Sequence, residues 1–142
     1  MRRLRKNILR PLFNETALSK KNLIMPVFVD ENLNSRIEIS SMPEYYRIPV
    51  SEVADEVSGA LEKGIGAFII FGIPTTKDER GSSAFDKNGV VQKAVRNIKK
   101  EYEDAVIVTD VCLCEYTTHG HCGIVQGKEI MNDETLPLLG KT

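Results

Sequence analysis

All three cysteines and both histidines of the chain fall in one stretch, TDVCLCEYTTHGHCG, residues 109–123. Thiolate is a soft metal ligand and imidazole a borderline one, so their crowding points to metal or thiol chemistry. The spacing is Cys112-x-Cys114-x7-Cys122. A C-x-C pair can chelate one ion from an extended turn, and a third thiolate returning later closes the loop over it. Zinc takes four tetrahedral ligands, and two arrangements fit. His119 or His121 completes a closed Cys3His structural site, or three thiolates bind and the fourth position stays open for water or substrate. Redox or inert thiols are the remaining reading, with the histidines as hydrogen-bond partners in the loop. Asp110 precedes the first cysteine by two residues and can point the same way, as a carboxylate that orients what the metal holds.

The elements that must position this loop are legible from hydrophobic periodicity. LIMPVFV (23–29), AFIIFGI (67–73) and AVIVTDVCL (105–113) are apolar runs of the kind found in buried parallel strands. Between them lie two amphipathic helices. The first has Val53, Ala54, Val57, Ala60 and Leu61 on one face, with Ser51 as cap and Gly64 as stop. The second spans about 90–102 with Val91, Ala94, Val95 and Ile98 on one face. NDETLPLLGKT starts a third, with Asn132 or Asp133 as cap. SSMPEYYRIP, with two prolines, excludes a regular helix. Residues 74–89 read as a long polar loop, with the KDER stretch at 77–80 solvated. Strand–helix alternation predicts an α/β fold with a parallel sheet. The three strands would form a small sheet with two unprotected edges. The cysteines would sit at a strand's C-terminal end, where such folds collect their active sites.

Bulk properties narrow the partners. The 142 residues are 42% hydrophobic and 27% charged, with net charge −1, so no global charge favours nucleic acid or an anionic membrane. A basic cluster, Arg2, Arg3, Arg5, Lys6 and Arg10, reads as a solvated N-terminal arm. No apolar run reaches the roughly 18–20 residues that span a bilayer. No apolar segment behind the basic start suggests a secretory leader. An odd cysteine count argues against a disulfide framework. A cytoplasmic protein without membrane or nucleic-acid partners is expected. Tyr45, Tyr46 and Tyr116 read as packing residues.

TDVCLCEYTTHGHCG resembles the zinc loop of the porphobilinogen synthase (5-aminolevulinate dehydratase) family. The likeness extends in order through RRLRKNILR, LIMPVFV, SMPEYYR, FGIPTTKDERGSSAFDKNGVVQKAVR, HGHCGIV and NDETLPLL, essentially the whole chain. The resemblance implies the first strands and helices of a (β/α)8 TIM barrel, incomplete here. Residues 1–20 would be an arm that wraps a neighbouring subunit, and 21–142 the truncated front of the barrel. It implies a homo-oligomer, an octamer in the family, built through that arm. It implies condensation of two 5-aminolevulinate molecules to porphobilinogen with loss of two waters, a hydro-lyase step in haem and other tetrapyrrole synthesis. It implies a catalytic Zn2+ on Cys112, Cys114 and Cys122 beside the active-site Asp110, with Mg2+ a further metal of the full-length family. The family's two Schiff-base lysines have no counterpart here. Lys128 and Lys141, the lysines after the zinc loop, sit in no matching motif. The 142-residue chain is therefore expected to be inactive alone. The alternative reading is a non-catalytic zinc-binding or assembly module.

Overall fold

The computed structural model describes residues 9–142. The strands and helices are β1 (Ile24–Asp30), β2 (Ile37–Glu38), β3 (Tyr46–Ile48), α1 (Val53–Glu62), β4 (Ala67–Ile73), α2 (Val90–Glu101), β5 (Val106–Thr109), β6 (Val125–Gln126), β7 (Glu129–Ile130) and α3 (Asn132–Lys141). The alternation of strands and helices follows the sequence reading, and β4 has the expected bounds. Most of the expected arm's basic cluster, Arg2, Arg3, Arg5 and Lys6, lies outside the described residues. Its described part carries a short 3-10 turn, Arg10–Phe13, with Leu12 and Phe13 exposed. No helix among the described residues is long and apolar enough to cross a membrane.

The main sheet runs β2-β3-β1-β4-β5. β1, β4 and β5 are parallel neighbours, with Phe28 opposite Phe71 and Ile70 opposite Thr109. It does not close into a barrel. Of the two bare edges expected, one at β1 does not occur. The β1 edge is covered by β3 in parallel and then by β2 in antiparallel pairing. Both strands are too short to show a hydrophobic period. An ion pair to a buried carboxylate fastens the cover: the partly exposed Arg47 donates through Nη1 to Asp30 Oδ2 at 3.0 Å. Asp30 Oδ1 accepts from the Asn32 backbone N–H and side-chain amide. Among the described residues the sheet's two edges are then the two-residue β2 and β5.

Alternation along the strands divides the sheet into two faces. Val27, Val29, Phe68 and Ile70 are buried, and pack with Val53, Val57 and Ala60 of α1 and Val90, Ala94 and Ile98 of α2 in one core. Gly72 is the close-approach point, since a Cβ there would stand 2.5 Å from Val90 and 2.6 Å from Val91. On the other face Phe28 stacks on Phe71, centroids 5.4 Å apart, while Ile24, Val106 and Val108 are exposed.

Three boundaries differ from the sequence reading. The third strand ends at Thr109 rather than Leu113. Its ladder with β4 stops there, and Leu113 instead turns into the core, its carbonyl accepting from the N–H groups of Tyr116 and Thr117. α1 starts after a 3-10 turn, Val50–Glu52, with Glu52 at its cap, so Ser51 caps nothing. Gly64 does stop the helix, at φ +87°. α3 is capped at Met131, not Asn132 or Asp133, because the Met131 N–H is drawn to the Ile124 carbonyl.

Candidate metal centre

Leu113 is fully buried, and it organises the C-x-C turn. One side chain pointing into the core leaves its two neighbours to point away from it. Cys112 Sγ and Cys114 Sγ stand 3.3 Å apart. Cys122, at the far end of the loop, brings its sulfur back so that all three lie within 4.8 Å of one another. Three thiolates around one tetrahedral ion at Zn–S of about 2.3 Å would sit roughly 3.8 Å apart. The observed set needs only small adjustments to reach that. Among the described residues no imidazole or carboxylate joins it.

The histidines are occupied otherwise, as hydrogen-bond partners within the loop. His119 Nδ1 accepts from the His121 backbone N–H at 3.1 Å, and His119 Nε2 lies 3.3 Å from the Glu79 carbonyl. The two rings stack at 5.5 Å. The closed Cys3His arrangement is therefore not what the fold assembles. Asp110 is exposed just past β5 and lines a cleft of about 340 Å³ with Val91, Val95, Arg96 and Tyr116. Its charge reaches the Cys112 and Cys122 thiols.

Electrostatics of the metal-free cluster are those of like charges sharing a site. At Cys112 burial opposes ionisation, but hydrogen bonds from the Cys114 backbone and the other two thiols outweigh it, and its pKa falls. Burial, then the ionised Cys112, pushes Cys114 up to about 12. Cys122 also rises, chiefly through its hydrogen bond with Cys112. Ionising one thiol thus makes its neighbours harder to ionise, and a central cation would reverse that balance.

Two supports were not visible in the sequence. The KDER stretch is exposed as expected, and from it Asp78 splices the 74–89 loop to the cysteine loop. Its N–H donates to the Tyr116 carbonyl and its carbonyl accepts from the Thr118 N–H. Its carboxylate accepts from the Ser82 and Arg80 backbone N–H groups, led by Ser82, which hold it below the usual carboxylate range against slight burial. The other support is a pair of buried threonines, Thr117 and Thr135. Neither support has a local signature, since each depends on a partner elsewhere in the fold. Tyr116 is buried as expected of a packing residue, whereas Tyr45 and Tyr46 are each 37% exposed, with Arg36 lying over the Tyr46 ring.

A sequence model of Delta-aminolevulinic acid dehydratase matches residues 1–142. The Delta-aminolevulinic acid dehydratase of Archaeoglobus fulgidus is 65% identical over all of this chain, and that of Methanothermus sociabilis 56% identical over 99% of it. The chain spans 44% of the length of each of these relatives. A crystal structure of the Toxoplasma gondii Delta-aminolevulinic acid dehydratase (porphobilinogen synthase), in complex with the reaction product porphobilinogen, superposes with a TM-score of 0.91 at 31% identity. It covers 99% of this chain and 41% of that one.

Proposed function

The chain belongs to the Delta-aminolevulinic acid dehydratase family, and from that premise we propose that it supplies the metal-binding portion of a porphobilinogen synthase. In this reading Cys112, Cys114 and Cys122 hold Zn2+, with no fourth protein ligand. The observation that carries it is the convergence of three thiols, and of no other donor among the described residues, just past the end of a parallel strand. Thiolates suit zinc better than magnesium, a hard ion that prefers oxygen. Zinc with an open position supplies Lewis-acid polarisation of a substrate oxygen or nitrogen, or an activated water.

The substrate is 5-aminolevulinate, two molecules of which condense to porphobilinogen with release of two waters. Asp110, exposed at the strand end beside the thiols, is placed to hydrogen-bond a substrate amine or a bound water. The lysines that would activate the substrate ketones as Schiff bases belong to the part of the family beyond the matched 44%. Lys141 lies over the Phe85 ring, and Lys128 is exposed in the β6–β7 turn. Residues 1–20 act as an arm in a homo-oligomer, 21–142 form the front of a barrel, and the protein works in the cytoplasm.

A chimera tests this reading: residues 1–142 replace the matching segment of the Archaeoglobus fulgidus relative. Porphobilinogen formation is expected within about tenfold of the parent, lost on chelation and restored by zinc. A folded, zinc-loaded chimera that forms no porphobilinogen would overturn the assignment and favour a zinc-binding or assembly module.

The titration of the cluster adds a pH prediction. Cys114 and Cys122 are held protonated in the metal-free protein, so binding must expel their protons, and affinity rises with pH. At least two protons are released, which corresponds to roughly a hundredfold or more in affinity per pH unit near neutrality. Competition against a chromophoric chelator from pH 6 to 7.5 measures this slope. A nearly flat profile would exclude thiols as the ligands.

A further inference from the structure

We propose that Thr117 and Thr135 are positioning residues for the third metal ligand: their hydroxyls bracket Cys122 and set its thiolate against the Cys112–Cys114 pair. This rests on the three-cysteine reading above and goes beyond it by naming what makes the set converge. Cys112 and Cys114 flank the buried Leu113, which fixes them directly after β5. Cys122 has no such anchor. It is exposed, and lies between Gly120 at φ +72° and the buried Gly123.

The backbone on both sides of Cys122 is held by a side chain. Thr117 Oγ1 donates to the His121 carbonyl at 2.9 Å. Thr135 Oγ1 accepts from the Ile124 N–H at 3.0 Å and donates to the Met131 carbonyl at 2.7 Å. Gly123 packs against Thr135 so closely that a Cβ would stand 2.6 Å from its hydroxyl. Among the described residues the buried polar or charged side chains are Asp30, Thr117 and Thr135, the threonines at 2% and 5% exposure. A buried hydroxyl costs free energy unless it is hydrogen-bonded. Two of these three side chains therefore bond backbone within two residues of one cysteine, Thr117 at His121 and Thr135 at Ile124. For packing alone valine would serve as well.

The test uses the full chain. Thr117→Val keeps the shape and removes the hydroxyl. Loss of a partner that orients a metal ligand commonly weakens binding about 10–100-fold, and that fall in zinc affinity is expected here, with Thr117→Ser restoring most of it. With Co2+ as a spectroscopic probe, the thiolate charge-transfer band of Thr117→Val should weaken, by less than the third that outright loss of one of the three thiolates would remove. In a Cys122→Ala background Thr117→Val should have no further effect on affinity, because the hydroxyl acts through that ligand. Wild-type affinity and a full band in Thr117→Val would overturn the inference alone. So would an equal loss in the Cys122→Ala background, which marks a general structural role. A wild-type chain that binds no zinc would overturn the three-cysteine reading and the inference together. If Thr117→Val does not fold, Thr135→Val, measured the same way, decides.

Discussion

Replacing Cys114 by alanine is expected to abolish stoichiometric zinc binding at neutral pH. Cys114 stands 3.3 Å from Cys112, and removing it breaks the chelate formed by the C-x-C turn. The two sulfurs that remain come from distant points of a long loop, and holding them together returns little. Zinc sites of four ligands reach apparent binding energies of about 10–16 kcal/mol at neutral pH. Loss of one thiolate from a three-thiolate site should cost several kcal/mol of that, about a thousandfold or more in affinity. The metal-free fold should barely change, because the side chain is small and only partly buried. His121→Ala is the contrasting variant. No imidazole belongs to the cluster, so it should keep its zinc. Metal content after dialysis, with a competition titration, reads both. Full zinc in the Cys114 variant, or none in the His121 variant, would sink the ligand assignment.

The second large effect concerns the frame that carries the loop. Phe68→Ala is expected to cost about 3–5 kcal/mol, a large share of the 5–15 kcal/mol typical of a domain. Phe68 is fully buried between the sheet and its two helices. Phe71 is three residues along the same strand but on the opposite face, half-buried against Phe28. Phe71→Ala should cost clearly less: the stacking contribution of about 0.5–1.5 kcal/mol and a smaller area term. Urea unfolding of the two variants, compared at equal slope, measures the difference. Equal losses would mean that both faces are core and that the division of the sheet drawn here is wrong.

Much of this was legible before any coordinates. Buried strands with an uninterrupted apolar run, such as 67–73, show their bounds because each residue meets either helix or sheet neighbour. The helices were legible from one-sided periodicity, Val53, Val57 and Ala60 in α1, Ala94 and Ile98 in α2, although Val90 is fully buried there and the expected Val91 and Val95 only partly so. β2 and β3 were not, since strands of two or three residues carry no period and exist only because β1 offers an edge and Asp30 a partner for Arg47. Nor was the early end of β5, where a long apolar run continues but the chain turns to bury Leu113.

The sequence by itself determined the α/β order, the donors available and their place just past a strand, because hydrophobic period and ligand type are local properties of the chain. It left open whether a histidine would join the three thiols or the fourth position would stay open. Tertiary structure decided that: three sulfurs converge, while the histidines turn to the backbone of their own loop and of Glu79. The physical reason is that convergence depends on bonds between distant segments. Asp78 meets Tyr116 and Thr118, Thr117 holds the His121 carbonyl, and Thr135 reaches back from α3 to Ile124. No spacing along the chain encodes those contacts, and together they bring Cys122 to the other two thiols.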